Sequence, residues 1–196
     1  MERTDGIDVV ECERCPALVD CRSRIVNGHG PVDADVALVG EAPGANEDRE
    51  GRPFVGRSGD VLDEALGAAG IPRETVRIIN CVRCRPPDNR DPHEEELANC
   101  RPYLDAEVDA VDPEALVTLG KVPAEHLLDR SVGVTDEAGE VYDARIAGAP
   151  RRVVVSVHPA ATLYDPSQRE ALDRALERAA DLAGESESGQ SRLGEF

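Results

Sequence analysis

Four short apolar runs constrain this chain more than anything else in it: VALVG (36–40), VRIIN (76–80), ALVTL (115–119) and VVVSV (153–157). They read as continuous apolar stretches rather than strict alternations, the pattern of strands buried on both faces. Helical stretches lie between them. DVLDEALGAAG (60–70) sets Val61, Leu62, Ala65 and Leu66 on one face and stops at Gly70. Pro92 opens a helix to about Val108, rich in glutamate where the helix dipole favours it. A further helix spans Val122 to about Leu128, and a last one places Leu172, Leu176 and Ala179/Ala180 on one face. Strands alternating with helices predict an α/β fold, three layers (α/β/α) around a central four-stranded parallel sheet. The 196 residues suit one domain, expected over 1–183, with GESESGQSRLGEF (184–196) as a disordered tail. Residues 131–150 predict a small hairpin. The first thirty predict a short helix, with Cys12 and Cys15 one turn apart, and then a loop.

In parallel sheets ligands bind beyond the carboxyl ends of the strands. Here those ends carry GEAPG, NCVRC, LGK and HPAA. Glu41 stands where a carboxylate could activate water or face a cation. Taken alone, the same loop reads equally as a turn with surface carboxylates. Phe54 is one of two phenylalanines, and an aromatic inside a polar, glycine-rich loop suits stacking on a flat ligand. Asn80 ends a strand, where its amide offers both a donor and an acceptor, although a turn-forming asparagine is the commoner case. His158 follows the fourth strand and precedes a proline. His29, His93 and His126 have no such setting and read as surface or packing residues.

The formal net charge is −18, and Lys121 is the only lysine. Such a charge repels itself in dilute buffer and is screened in concentrated salt, where the Debye length falls to ~3 Å at 1 M. The composition therefore reads as adaptation to a salty cytoplasm. No apolar run approaches the ~20 residues of a membrane span, and the charged N-terminus lacks an apolar leader, so a cytoplasmic protein without a membrane partner is expected. Arginines still cluster at 49, 52 and 57, at 83, 85 and 90, and at 151 and 152.

Six cysteines in such a chain point to metal or redox chemistry. Two assignments compete. Cys12/Cys15 with Cys81/Cys84 gives two CxxC pairs, a zinc pattern. Cys12, Cys15, Cys84 and Cys100 gives one CxxC and two separate thiols, compatible with an iron–sulfur cluster. Adjacent strand residues face opposite ways, so if Asn80 faces a ligand, Cys81 faces the layer beneath.

Together, GEAPG, EDREGRPFVGRSG, NCVRCRPPDNR, LGKVPAEHLL and HPAATL resemble, in order and spacing, the family 4 uracil-DNA glycosylases, over about residues 8–182. The resemblance implies a monofunctional hydrolase of base excision repair that releases uracil from DNA, single- or double-stranded. It implies a structural 4Fe–4S cluster on Cys12, Cys15, Cys84 and Cys100, leaving Cys21 and Cys81 free. It implies that Phe54 stacks on uracil and Asn80 pairs with its edge. Glu41 positions water and faces the cationic sugar, and His158 donates to uracil O2. Ala42 adds backbone contacts, Glu47 excludes a 5-methyl group, Asn89 supports sugar or water, and Leu163 wedges into the vacated stack. A monomer is expected, and a sliding clamp is a partner that the resemblance leaves open. The alternative is a zinc-stabilised α/β module that binds nucleotides or nucleic acid without catalysis.

Overall fold

The computed structural model describes residues 2–191, apart from the side chains of 186–191. The chain opens with a hairpin, not with a helix: β1 (Glu2–Asp5) pairs antiparallel with β2 (Asp8–Cys12) around Gly6, whose φ is +60°. Helix α1 (Pro16–Cys21) starts only at its proline. A residue before proline is pushed out of the helical region, and Cys15 has φ −120° and ψ 92°. Cys12 therefore ends a strand and Cys15 caps a helix, a correction to the single helix expected there.

Strand β3 (Val36–Gly40) follows as expected. The polar loop after it contains helix α2 (Ala45–Glu50), closed by Gly51 in the left-handed region, and α3 (Arg57–Ala68) begins directly at Gly56. Then come β4 (Arg77–Asn80), α4 (Glu94–Val111), β5 (Ala115–Leu119) and α5 (Lys121–Leu128). His93 caps α4, its backbone N–H donating to Glu96. The chain continues through β6 (Val141–Ile146) and β7 (Ala149–Ser156) to α6 (Gln168–Ser191). The domain boundary expected at 183 falls inside α6, and residues 192–196 of the expected tail lie outside the described residues.

The central sheet has five strands, in the order β4-β3-β5-β7-β6. The first four of these are parallel, as expected. The fifth, β6, is antiparallel to β7, so the sheet is mixed rather than four-stranded and parallel. The cause is a hairpin between β6 and β7 itself, rather than the small separate hairpin expected within 131–150. Ala147 and Gly148 both take positive φ (54° and 81°) between the paired Ile146 and Ala149, a two-residue turn that folds β6 back on the sheet edge.

Side chains of alternate parity cover opposite faces. Leu38, Ile78, Val117 and Val154 pack with Leu62, Leu66, Leu172 and Leu176 of α3 and α6. Ala37, Val39, Ile79, Leu116 and Val153 pack with Leu104 and Val108 of α4 and with Val9 and Leu18 of the N-terminal segment. Polar ties fasten that segment. Val9 N–H donates to Asn27 Oδ1 (2.9 Å), Arg83 reaches the same oxygen (2.7 Å), and Arg83 shares buried Glu107 with Arg77. The register pairs Gly40 with Asn80 and Leu119 with Ser156, so the chemically loaded strand ends lie side by side. No helix among the described residues is long and apolar enough to cross a membrane.

Candidate active site

Beyond these strand ends lies a small cavity of about 170 Å³, lined by Ala42, Gly44, Glu47, Phe54, Ser58, Asn80 and His158. Five of these were singled out from sequence. Gly44 and Ser58 were not, because a glycine and a serine at helix starts carry no signal that separates lining from capping.

Asn80 is buried at the end of β4, and its side-chain amide makes no hydrogen bond among the described residues. Its amide opens on the cavity, so its donor and its acceptor are both free for a ligand. The neighbouring strand leaves it room, since a Cβ on Gly40 would come 2.3 Å from Asn80 Oδ1 and 2.6 Å from the Phe54 ring. Phe54 is also buried, and its backbone sits at φ +51°. For a bulky residue that conformation costs about 1–3 kcal/mol and persists only where surroundings enforce it. Its ring lies 5.7 Å from the His158 ring, tilted by 31°.

His158 Nδ1 accepts from the Ala160 N–H (3.1 Å). Its proton is therefore on Nε2, and the ring is a neutral donor. Burial lowers its pKa from the ordinary value, which keeps it neutral. Glu47 braces two loops at once, accepting from Gly44 N–H (3.1 Å) and from Val55 N–H (3.2 Å). Glu41 lies one residue past β3. Burial first, then the charge and hydrogen bond of Asp91, push its pKa up to about 7. Sequence reasoning missed Asp91, because a carboxylate in a proline-rich loop gives no sign of facing another fifty residues away. Asn89 lies outside the cavity, exposed, accepting from Arg85 Nε (2.8 Å). Leu163 and Tyr164 are exposed after the turn that begins at Pro159.

On the opposite face of the sheet four thiols gather from four places: Cys12 at the end of β2, Cys15 at the cap of α1, Cys84 beyond β4, and Cys100 in α4. Cys84 and Cys100 are buried, and Cys12 and Cys15 pack against the same apolar cluster. Burial raises the thiol pKa of Cys84, against the lowering effect of Arg22, and that of Cys100 to about 12; Cys12 and Cys15 add to the rise at Cys84, and Cys84 and Cys12 to that at Cys100. Arg22 donates to Cys84 Sγ (2.8 Å) and to the Cys12 carbonyl (2.6 Å), and Asn99 to Cys15 Sγ (3.5 Å). Soft donors from separate elements, already receiving hydrogen bonds on sulfur, fit the ligand set of an iron–sulfur cluster. Among the described residues, no three His, Cys, Asp or Glu side chains converge as a metal ion would require. Cys81 is fully buried on this face, as strand alternation requires, and Cys21 is half-buried.

Residues 27–180 match the family model of the uracil DNA glycosylase superfamily. The chain belongs to that superfamily. Within it, the chain is 41% identical over 165 residues to the type-4 uracil-DNA glycosylase of Pyrobaculum aerophilum, which covers 82% of this chain and 84% of the relative. It is 36% identical over 190 residues to the type-4 enzyme of Archaeoglobus fulgidus, covering 94% and 95%. A type-5 uracil-DNA glycosylase of Pyrobaculum aerophilum is 35% identical over 211 residues, covering 90% and 91%. The matched region takes in the whole cavity of this superfamily member, together with Cys84 and Cys100, while Cys12 and Cys15 precede it.

Proposed function

We propose that the chain is a monofunctional uracil-DNA glycosylase of base excision repair, hydrolysing the N-glycosidic bond of deoxyuridine to release uracil and leave an abasic site. The observation that carries the reading is the buried, unpartnered Asn80 amide beside Phe54 and a neutral His158 in one cavity. The glycosidic bond is out of reach inside a stacked duplex, so the nucleotide enters this cavity flipped out. Phe54 stacks on the ring. Asn80 accepts from uracil N3–H and donates to O4. Cytosine presents the reverse pattern and leaves these groups unpaired, at ~1–3 kcal/mol each.

As the bond breaks, negative charge gathers on uracil and positive charge on the sugar. His158 Nε2–H donates to uracil O2, an electrostatic role like that of an oxyanion hole. Glu41, ionised, faces the sugar and orients the water that adds to it. Ala42 contributes backbone contacts to the base. Glu47, held by Gly44 and Val55, stands where a 5-methyl group would enter and excludes thymine. Asn89 acts at a distance, steadying Arg85 in the loop that supports the sugar and water. Leu163 fills the gap left by the flipped nucleotide. A lyase step has no lysine amine in the cavity, since Lys121 is exposed, lies 3.8 Å from Glu125, and does not line it.

Cys12, Cys15, Cys84 and Cys100 would hold a 4Fe–4S cluster, whose contribution is structural, tying the N-terminal segment to the loop and helix after Asn80. Residues 1–183 act as one domain, and the protein works in the cytoplasm as a monomer on DNA, in the salt its acidity suits.

The test pairs wild type and Asn80→Asp on strands carrying one uracil or one marked cytosine, with alkaline cleavage of abasic sites. Wild type should cut the uracil strand alone. Asn80→Asp should lose at least about tenfold on uracil, as mismatched hydrogen bonds require, and begin to cut at cytosine. An intact uracil strand with folded, iron-loaded wild type would contradict the reading.

A further inference from the structure

The loop from Pro53 to Gly56 is a thin wall between two spaces. On one side is the cavity with Asn80 and His158. On the other is an open groove of about 730 Å³, whose lining includes His29, Arg52, Arg73, Val76 and Ile78. Phe54 borders both. The Phe54 ring is buried in the core cluster on the α3/α6 side of the sheet, so packing holds the ring, while the loop backbone runs between the two spaces. That backbone is in a conformation that phenylalanine does not prefer. Specific contacts must therefore hold it.

Three are present. Gly59 of α3 lets the loop approach, because a Cβ there would fall 2.0 Å from the Phe54 carbonyl oxygen. Glu47 takes the Val55 N–H. From behind, Arg73 crosses the groove, and its Nη2 donates to the carbonyls of both Pro53 (3.3 Å) and Phe54 (3.2 Å). Its Nη1 donates to Asp63, one turn beyond Gly59 on the same helix. The planar guanidinium reaches all three acceptors at once, which an ammonium cannot do in that geometry. Asp63 is about half exposed, so the ion pair adds little to stability by itself. What it does is fix the direction of the guanidinium.

We propose that Arg73, braced by Asp63, is a positioning residue: it holds Phe54 in its left-handed backbone conformation and so sets the plane on which the flipped base stacks. The proposal rests on the uracil reading of the cavity.

The test is a double-mutant cycle on single-turnover excision, with wild type, Arg73→Ala, Phe54→Ala and the double variant, and thermal midpoints measured alongside. Arg73→Ala should slow excision between about ten- and a hundredfold, the scale of a misplaced substrate contact. Once Phe54 is alanine there is no ring to position, and the same replacement should then change the rate by less than about twofold. Arg73→Lys should fall between wild type and Arg73→Ala, and takes its place in the cycle if the alanine variant does not fold. An equal loss in both backgrounds, or no loss beside intact Phe54, would overturn the clamp while leaving the uracil reading in place. Wild type that releases no uracil would overturn both.

Discussion

Asn80 and Cys81 are adjacent in the chain and belong to different layers. The asparagine opens into the ligand cavity and the cysteine is buried against α4, because successive strand residues face opposite ways. That much was legible from sequence, as were the places of His158, two residues past a strand end, and of Phe54, an aromatic in a polar, glycine-rich loop; Glu41 directly follows β3 but does not line the cavity. What braces them was not. Glu47 reaching Val55, Asp91 acting on Glu41, and Arg73 reaching Phe54 depend on which loops fold over which, and no local pattern records that. Asp91 and burial have a consequence that can be measured. A carboxyl raised to about 7 is protonated below that pH and ionised above it. If the ionised form faces the sugar, the single-turnover rate should rise through about pH 7. His158, already neutral there, should add no second inflection. Glu41→Gln should be slow and flat across the same range. Asp91→Asn should move the midpoint down, because the charge that raises it is gone. A wild-type profile without a rise would remove Glu41 from the chemistry.

At the scale of elements, the four parallel strands and the helices between them could be read from apolar runs and helical periodicity. The elements that escaped are those whose residues stay in water. In the N-terminal hairpin β1 is fully exposed and β2 buries only Val9, α2 is ANEDRE with no apolar face, and β6 is an edge strand with only Ile146 buried. Without burial there is no period to detect. The hairpin nevertheless matters for the thiols, because it delivers Cys12 to Cys84 while Pro16 sets Cys15 at the head of α1. On this arrangement the loss of Cys100 removes a ligand and the loss of Cys81 does not. Cys100→Ser should lose most of its iron and the broad absorbance near 400 nm that is roughly expected of thiolate-bound clusters. Cys81→Ser should keep both, at some cost in stability from its buried site. Iron lost from Cys81→Ser and retained in Cys100→Ser would reverse the assignment.

For the whole molecule, the charge of −18 stands against the usual basic footprint of a protein that handles DNA. Its arginines are largely committed to acidic neighbours, as in Arg3–Glu11, Arg14–Glu2, Arg130–Glu137 and Arg169–Asp173. Exposed pairs of this kind contribute about 0–1 kcal/mol each and do not offset long-range self-repulsion. Salt screens that repulsion, and it also screens the repulsion between an acidic surface and DNA phosphates. A basic DNA-binding protein loses affinity steeply with salt, by counterion release. This protein should do the opposite. The most direct measurement is therefore release of free uracil from a uracil-containing single strand by the wild-type protein, followed from dilute buffer to molar salt. Uracil should appear in proportion to abasic sites, at a rate that holds or increases as salt is added. Folded, cluster-loaded protein that releases no uracil at any salt concentration would contradict the account.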